Sequence, residues 1–500
     1  MHAEHRVTMD PADPVASQNA APALDLVRRL VAALDGAAVS WCHWKSNEAI
    51  ARSASGDNDL DLLIAREHAG RVEEILASLG FRVARPPADR QLPGIVDHYG
   101  IDDSGRVVHV HAHYHLVLGD DMTKNVRLPI ERAYLHSCTR AGLFPLPSAE
   151  LEYIVFVLRM VLKHSTIDGQ LDRKARLTAS EQRELAYLEE RIDPVEVERL
   201  VTTCIPFIGH RLFSACRRAA AERLGHAARA VVAARLVVAL RAHTRRREVL
   251  DVALRVWRRR WRRHGPRLSW LTSKKRLDRG GLIIALIGGD GSGKSTAAEM
   301  LATQLGRTFD VVRVHMGKPE WSRLSRLVKR PMRRLRRYGL FRATSAPAWH
   351  DFGGRSPGLG YLLWHTLTAR DRALTYQRAR RVAARGGIVV SDRFPDPRIR
   401  LMDGPRTDLP GVTRRPVAGW LASRERHYYD HILPPDVTIV LRVPPAVAVE
   451  RRAHQDADVV RRRVAEVYEA DWTDAAVVID ATQPVEYVHA QITAAVWSAL

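Results

Sequence analysis

The sequence predicts an α/β protein in three parts: an α+β domain at 21–147, a helical region at 148–279 and a doubly wound parallel sheet at 280–500. Three observations support this prediction. Strand and helix patterns alternate from Gly281 to the end, which is typical of a parallel sheet between layers of helices. Alternating apolar and polar residues favour strands in the N-terminal part. A long helical pattern follows Ser148, a residue type that commonly caps helices.

The individual elements follow from the same patterns. A predicted disordered tail at 1–20 precedes a helical pattern at 24–34. The α+β domain has predicted strands at 59–65, 80–86, 94–101 and 106–119. The helical region opens with a predicted helix at 149–164. The C-terminal part has a predicted helix that begins at Ser295, and predicted strands at 282–288, 310–317, 387–394, 437–443 and 476–482.

Charge and cysteine content limit the classes to which the chain can belong. The net charge is +22, and residues 211–279 alone contain 21 Lys and Arg against four acids, so the excess belongs to one segment. The four cysteines lack the spacing of a metal site or a disulfide framework, which favours a reducing compartment. The N-terminus has no secretory pattern, and the apolar stretch at 227–242 is too short to cross a bilayer. We therefore predict a cytoplasmic protein without a transmembrane helix.

The stretch GGDGSGKST at 288–296 carries the clearest chemical signal. It matches the P-loop pattern, and it lies between an apolar strand and an Ala-rich helix, as a phosphate-binding loop requires. The loop amides would donate to phosphate oxygens, Lys294 would span the β- and γ-phosphates of ATP, and the Ser295 hydroxyl would bind Mg²⁺. The predicted nucleotide-binding residues are Gly288, Gly289, Asp290, Gly291, Ser292, Gly293, Lys294, Ser295 and Thr296.

Further motifs accompany this loop in the C-terminal 220 residues. Asp290 stands third in the loop, and GGIVVSDRF at 386–394 places an Asp-Arg pair at the end of a predicted strand. These two motifs resemble the GxDGxGKST loop and the Asp-Arg-Tyr strand of thymidylate kinases, with Phe394 in place of the tyrosine. The segment at 369–387 resembles the helix with the family's Ala-Asp-Arg element, here Arg370, Asp371 and Arg372. Segments 434–455 and 477–492 resemble the family's last two strands with the helices that follow them.

The resemblance implies a P-loop kinase of the nucleoside monophosphate type that depends on ATP and Mg²⁺. The predicted catalytic residues are Lys294, Asp392, Arg393 and Asp290, and the predicted magnesium ligands are Ser295 and Asp392. Asp392 would act on the Mg²⁺ side or as a base, and Arg393 would grip an acceptor phosphate. A surface ion pair at a strand end is the alternative for these two. Because a lone carboxylate beside phosphates is unfavourable, Asp290 is expected to contact an arginine, a Mg²⁺-bound water or a substrate hydroxyl.

The acceptor stays open. In place of the family's Arg-Glu-Pro-Gly-Gly element the chain has a different, basic segment at 314–339, in which His315 and Lys318 are candidates to face the acceptor. Where the kinase lid would lie, one or two of five arginines would stabilise the transferring group and the rest would be solvated: Arg451, Arg452, Arg461, Arg462 and Arg463. The acceptor is therefore any small phosphorylated or hydroxylated molecule that suits a basic pocket, such as a nucleotide or a sugar phosphate.

A second, weaker candidate site lies near the N-terminus. Asp59 and Asp61 are two apart on a predicted strand, so both carboxylates point to one face and could hold Mg²⁺. This pair resembles the Asp-x-Asp strand of polymerase-β-like nucleotidyltransferases. The later strand carries imidazoles where that family has its third acid, at His109, His111, His113 and His115. Three interpretations stay open: a nucleotidyltransferase-like domain without catalysis, an altered metal site that uses the imidazoles, and an unrelated fold with a polar strand face.

The basic connector at 211–279 is a candidate contact surface. It interleaves Trp257, Trp261 and Trp270 with dense Arg and Lys, which suits the surface of an anionic membrane or a nucleic acid. The alternative is a solvated linker whose tryptophans pack on a neighbouring domain. Two functions besides a kinase are consistent with the sequence. One is a nucleotide-binding regulatory or tethering protein, and the other is an active N-terminal nucleotidyltransferase.

Overall fold

The computed structural model describes residues 22–121, 123–171, 176–264, 274–337, 358–399, 404–405, 407 and 416–500. The predicted tail at 1–20 and Trp270 of the basic connector lie outside these residues. The chain divides into two compact units. The first contains the described residues of Met1–Phe81, Asp89–Asp102 and Arg106–Leu268, and the second those of Arg82–Ala88, Asp103–Gly105 and Ser269–Leu500.

Short strands and helices alternate up to residue 147. In chain order the elements are α1 (Asp25–Gly36), β1 (Trp41–His43), α2 (Ile50–Ala54), β2 (Leu60–Ile64), α3 (Ala69–Ser78), β3 (Arg82–Arg85), β4 (Ile95–Ile101), β5 (Val107–His113), β6 (Val117–Leu118), β7 (Val126–Arg127), α4 (Glu131–His136), β8 (Thr139–Ala141) and β9 (Phe144–Leu146). Single 3₁₀ turns occur at Asn47–Ala49, Arg66–His68 and Ala88–Arg90.

In the first unit, β1, β2, β5 and β4 form a mixed sheet in that order. β2 is antiparallel to β1 and parallel to β5, and β5 is antiparallel to β4. β5 alternates as its sequence predicts: Val108 and Val110 are buried with α1 and α3, while His109 and His111 point to the opposite face. This sheet places the Asp-x-Asp pair of β2 directly beside the histidines of β5.

One predicted strand is wrong in its length. The pattern at 106–119 predicts a single strand, but β5 ends at His113 and the chain resumes as β6 after a break. β6 leaves the sheet because it pairs with β7, and Gly119 supports the turn with a φ of +123°, which favours glycine.

The helical region follows. Its helices are α5 (Ala149–Met160), α6 (Ile167–Leu171), α7 (Ala179–Glu189), α8 (Pro194–Cys204), α9 (Gly209–Ala220), α10 (His226–Ala239) and α11 (Glu248–His264), with a π-helical turn at Val161–Ser165 and a 3₁₀ turn at Arg241–His243. The predicted cap is confirmed, since the Ser148 side chain accepts a hydrogen bond from the Leu151 amide. α5 is buried from Leu151 to Leu158 and at Met160, and it forms the centre of the helical core. Among the described residues, no helix is long and apolar enough to cross a membrane.

The second unit contains the remaining elements. These are β10 (Arg276–Leu277), β11 (Leu282–Gly288), α12 (Lys294–Gly306), β12 (Val311–Val314), α13 (Arg323–Arg337), α14 (Leu359–Ala383), β13 (Ile388–Ser391), α15 (Pro416–Asp430), β14 (Val437–Arg442), α16 (Pro445–Arg451), α17 (Ala457–Glu469), β15 (Val477–Asp480) and α18 (Val485–Ala499). β10 pairs with β3 in the same unit.

The predicted parallel sheet is confirmed in this unit. Its five strands lie in the order β12-β13-β11-β14-β15, and every neighbouring pair is parallel. β11 is central and buried at all seven residues, as expected for a strand covered on both faces. After β11 the chain crosses to one side of the sheet, and after β13 it crosses to the other. The carboxyl ends of β11 and β13 therefore meet at one edge, where open α/β sheets commonly bind ligands.

Candidate functional site

The loop between β11 and α12 has a conformation that only glycine tolerates. Gly291 and Gly293 have φ values of +82° and +84°. Gly288 and Gly289 are required for a different reason, because a Cβ on them would lie 2.8 Å from the Leu441 carbonyl oxygen and 2.6 Å from Val464. The glycines thus shape the loop both through its backbone angles and through its packing.

Lys294 and Ser295 open α12, where helix amides point out of the first turn. The Lys294 ammonium lies within the loop, 2.5 Å from the Gly289 carbonyl oxygen and 3.4 Å from Ser292 Oγ. A buried cation and a helix N-terminus therefore converge at one point of the loop, which is the electrostatic arrangement that favours an anion.

Asp392 follows β13 and reaches this loop because β13 pairs in parallel with β11. Its carboxylate accepts a hydrogen bond from Ser295 Oγ at 3.3 Å and lies 2.5 Å from His315 Nδ1 and 3.8 Å from Arg313. Burial alone would raise the Asp392 pKa, but His315 and Arg313 outweigh it and lower the pKa, so the group is ionised at neutral pH. The predicted magnesium ligands Ser295 and Asp392 are thus adjacent. A hydroxyl and a carboxylate fit a Mg²⁺ ion that also retains water and binds phosphate oxygens.

The expectation that Asp290 meets a cation is confirmed. One carboxylate oxygen lies 3.4 Å from an Arg393 nitrogen and the other 3.2 Å from an Arg463 nitrogen. Asp290 therefore aligns two guanidinium groups, one from the end of β13 and one from α17. The sequence could not determine which lid arginine makes this contact.

The other four lid arginines divide into two pairs. Arg451 donates to the carbonyl oxygens of Gly291 and Ala481, and Arg452 lines the loop. Arg461 pairs with Asp458 on the exposed face of the same helix, and Arg462 donates to the Asp458 carbonyl oxygen. One arginine of α17, Arg463, is thus directed at the loop, while Arg461 and Arg462 bond within their own helix.

Two cavities adjoin at Asp290 and Arg393. A small cavity of ≈ 90 Å³ lies over the loop, and a larger one of ≈ 680 Å³ extends from it. Both are lined by Asp290 and Arg393. Among the described residues that line the larger cavity, five are cationic and one is a carboxylate: Lys318, Lys329, Arg372, Arg393 and Arg463 against Asp290. This cavity therefore suits an anionic molecule.

Lys329 is a residue of this cavity that sequence reasoning missed. Its side chain is 1% exposed and its ammonium lies 4.9 and 5.4 Å from the ring centres of Trp364 and Trp321, which are close enough for cation–π attraction. It also donates to Thr368 Oγ1 at 2.8 Å. Burial lowers its pKa to about 8, against the raising effect of Asp371. No spacing rule could identify it, because Trp321 lies eight positions before it, outside the helix that contains Lys329, and Trp364 lies 35 positions after it on another helix.

The Arg-Asp-Arg element of α14 supports the wall of the cavity. Arg372 donates to the carbonyl oxygens of Met316 at 2.7 Å and Gly317 at 3.0 Å, so it holds the segment after β12 in place. Asp371 accepts hydrogen bonds from Ser322 and Ser325 just beyond it. These two residues thus position the backbone beside Lys318.

The N-terminal candidates form a second cluster, within the first unit. Asp61 Oδ1 lies 2.9 Å from Lys45 and 3.0 Å from His111, and these partners hold its pKa well below the usual range against the effect of burial. His109 bridges two carboxylates, with Asp59 at 2.7 Å from one ring nitrogen and Asp97 at 2.8 Å from the other.

Asp97 is a second residue that sequence reasoning missed. It lies on β4 directly opposite His111 of β5, so the cluster contains three acids. The available signal was that Asp97 is polar while the alternate positions of its strand are apolar. The sequence alone does not show which strand lies beside it.

Two backbone amides in the turn that follows β1 already donate hydrogen bonds to glutamate side chains. The Ser46 amide donates to Glu184 at 3.1 Å, and the Asn47 amide donates to Glu152 at 3.4 Å. Burial raises the pKa of Glu152 to about 8, so this carboxyl group changes charge near neutral pH. Acidic partners at both amides disfavour a phosphate at this turn.

The basic connector is less exposed than its composition suggests. Arg255 and Arg259 of α11 are buried and form ion pairs with Asp168 at 3.4 and 3.0 Å. Apolar residues instead face outward on this helix, with Val249 81%, Leu250 58% and Trp257 54% exposed. Part of the positive charge thus stabilises the first unit internally.

No model of a known protein family matches the chain, and no curated protein matches it.

Proposed function

We propose that the chain is an ATP- and Mg²⁺-dependent phosphotransferase that resembles the thymidylate kinases. It would transfer the γ-phosphoryl group to a nucleoside monophosphate or another small phosphorylated or hydroxylated acceptor. One observation carries the proposal: a glycine-shaped loop with a buried lysine adjoins a basic cavity, and Asp290 and Arg393 line both.

The roles of the residues follow from charge and position. Phosphoryl transfer depends mainly on positioning and on neutralising negative charge. Loop amides and Lys294 would hold the β- and γ-phosphates, and Ser295 and Asp392 would hold a Mg²⁺ ion that neutralises them. Arg393 and Arg463, aligned by Asp290, would contact the phosphoryl group between donor and acceptor.

The cavity favours an acceptor that already carries phosphate. Its cationic residues exceed its acidic residues, and Arg393 lies where the two cavities meet. Trp321 and Trp364, whose rings meet edge to face, add aromatic surface to the same wall, which would accommodate a ring attached to the phosphate. A nucleoside monophosphate and a sugar phosphate both combine these properties.

An acceptor screen tests the proposal. Full-length protein is incubated with γ-labelled ATP, Mg²⁺ and a panel of nucleoside monophosphates, sugars and sugar phosphates. We expect transfer to at least one member, and we expect Lys294→Ala to reduce it by at least about 100-fold. Lys274→Ala is the matched control, because Lys274 is half-buried in the same unit and donates only to a backbone carbonyl oxygen at 2.8 Å among the contacts described. Absence of transfer to every acceptor, or equal loss in both variants, would contradict the proposal.

A second candidate function is tethering to an anionic surface through the basic connector. The exposed Val249, Leu250 and Trp257 on α11 favour it, because apolar side chains beside arginines suit the headgroup region of a membrane. Co-sedimentation with vesicles that contain phosphatidylserine would test it. Binding that weakens in salt and in Trp257→Ser supports the tether, and binding to RNA but not to vesicles would assign the same surface to nucleic acid.

A further inference from the structure

Three metal-ligating side chains of the first unit converge on one point. They are Asp61 of β2 and His111 and His113 of β5, and their ligand atoms lie within 4.8 Å of one another. The sheet explains why they meet. β2 and β5 are parallel neighbours in which Asp61 pairs with His111, and His113 is two residues further along the same face.

The distances match those of a tetrahedral metal site. His111 Nδ1 lies 3.0 Å from Asp61 Oδ1 and 3.1 Å from His113 Nε2, and the third edge of the triangle is 3.7 Å. Ligands at the usual zinc bond length of about 2.0–2.1 Å lie about 3.3–3.4 Å apart in a tetrahedron. A triangle with these three edges has a point about 1.9 Å from every corner, so an ion would lie slightly above its plane at normal bond lengths.

Hydrogen bonding alone does not satisfy this triangle. His111 Nδ1 faces both Asp61 Oδ1 and His113 Nε2. If His111 Nδ1 donates its proton to Asp61, the proton of a neutral His113 must lie on Nδ1, a buried atom with no hydrogen-bond partner among the described residues. If His113 Nε2 donates instead, His111 Nδ1 and the carboxylate face each other as two acceptors. A cation at the centre attracts all three atoms at once.

The surroundings of the triangle resemble those of a metal centre. The second nitrogen of His111 faces Asp97 at 3.8 Å, the direction from which a carboxylate commonly orients a metal-bound imidazole. The His113 ring is fully buried and packs edge-on against Trp44, with ring centres 5.0 Å apart. Two cations oppose a metal ion here: the Lys45 ammonium lies 2.9 Å from Asp61 Oδ1, and the positive charge of half-buried Lys124 adds to burial in lowering the pKa of both His111 and His113.

We propose that Asp61, His111 and His113 bind a divalent transition-metal ion of the zinc class, with the fourth position open to water or a ligand. Two imidazoles and one carboxylate favour such an ion over Mg²⁺, which takes oxygen ligands. The site is separate from the proposed kinase chemistry and does not depend on it. It replaces the Mg²⁺ site that the Asp-x-Asp resemblance implies with a single nitrogen-rich centre.

Cobalt is the probe, because its visible absorption reports a tetrahedral site. Full-length protein without an affinity tag is freed of metal with a chelator and titrated with Co²⁺, followed by competition with Zn²⁺. We expect one equivalent of Co²⁺ to give intense tetrahedral bands that Zn²⁺ abolishes. His111→Gln should weaken this binding by at least about 100-fold, since it removes one of three ligands. Lys45→Met should strengthen it, because a competing positive charge is lost.

His109→Gln is the matched control. His109 lies on the same strand and face, but it bridges Asp59 and Asp97 and contributes no atom to the triangle. Its variant should keep the tetrahedral bands and bind Co²⁺ within about threefold of the native affinity. Circular dichroism of the metal-free proteins establishes that the variants fold. If native protein shows only weak octahedral absorption, or if His111→Gln binds as tightly as His109→Gln, the proposal is overturned.

Discussion

The two polar sites of the molecule use similar residues in opposite ways. In the second unit, Asp290 aligns two arginines where two cavities adjoin, and Lys294 and Ser295 lie at a helix N-terminus. In the first unit, the turn amides at Ser46 and Asn47 donate to glutamates, and imidazoles surround the acids of the sheet. An acid and a lysine near a turn therefore do not define a phosphate site. The deciding property is whether the positive groups face a cavity or are neutralised by neighbouring acids.

Replacement of Asp392 should have the largest effect on the second-unit site. We expect Asp392→Asn to keep the shape of the side chain, lose the charge beside Ser295, and reduce kcat for phosphoryl transfer by about 10²–10⁴-fold. Steady-state kinetics with the best acceptor of the screen measures it. Asp480→Asn is the matched control, since Asp480 also ends a strand of the same sheet but bonds only to Thr482 and Gln483 among the contacts described. Equal values of kcat for Asp392→Asn and native protein would show that Asp392 takes no part in the transfer. The proposed difference between the two sites would then be wrong.

Local patterns explain what could be predicted from the sequence. The apolar strand before the glycine-rich loop, the strand before Asp392 and the Ser148 cap each depend on residues a few positions apart, and all are present in the structure. Lys329 and Asp97 could not be predicted because their roles depend on neighbours from other elements: Trp364 is 35 positions from Lys329, and His111 faces Asp97 only through strand pairing. The predicted end of β5 was wrong for the same reason. Val117 and Leu118 pair with β7 and so leave the sheet, although their own sequence pattern favours a longer strand.

Arg463 provides the next test, because Arg461 lies two positions before it on the same helix and serves as its control. Arg463→Gln removes a charged partner of Asp290, and we expect kcat/KM to fall by about 10–100-fold, the range for a hydrogen bond to a charged group. Arg461→Gln removes a pair with Asp458 on an exposed face and should leave kcat/KM within about twofold. A similar loss in both variants would mean that the helix acts through its overall charge and not through the Asp290 contact.

The first unit should be the more sensitive of the two to acid. Burial lowers the pKa of His98 from its ordinary 6.5 to about 4, with Asp97 opposing this and His109 adding to it. Between these values the unfolded chain binds the proton and the folded chain does not, so folding stability falls as pH decreases from about 6.5 to 4. If His98 is replaced by a residue that does not titrate, the free energy of unfolding should fall by about 1–2 kcal/mol less at pH 5 than it does in native protein.

Thermal unfolding at pH 7 and pH 5 measures the effect. His98→Asn should show a smaller decrease in the unfolding midpoint of the first unit than native protein, by a few degrees. The exposed His136 offers the control, and His136→Asn should decrease like native protein. Identical decreases in all three proteins would show that other groups cause the acid sensitivity, such as the carboxyl groups around His109.

The smallest expected effect lies at Lys329, where the second-unit cavity itself contains a buried titratable group. Its pKa of about 8 means that the ammonium is charged below this pH and loses its charge above it. An anionic acceptor would therefore bind more weakly as pH rises, and we expect KM for the acceptor to increase by about three- to tenfold between pH 7 and pH 9.

Lys329→Met fills the space between Trp321 and Trp364 with a neutral chain, so its KM should be raised already at pH 7 and change little with pH. Because acceptor phosphates lose their second proton near pH 6, their own titration does not produce this rise. A KM for native protein that stays constant from pH 7 to pH 9 would mean that Lys329 shapes the cavity wall without contributing charge to the acceptor, which would leave Arg393 and Arg463 as the groups that recognise phosphate.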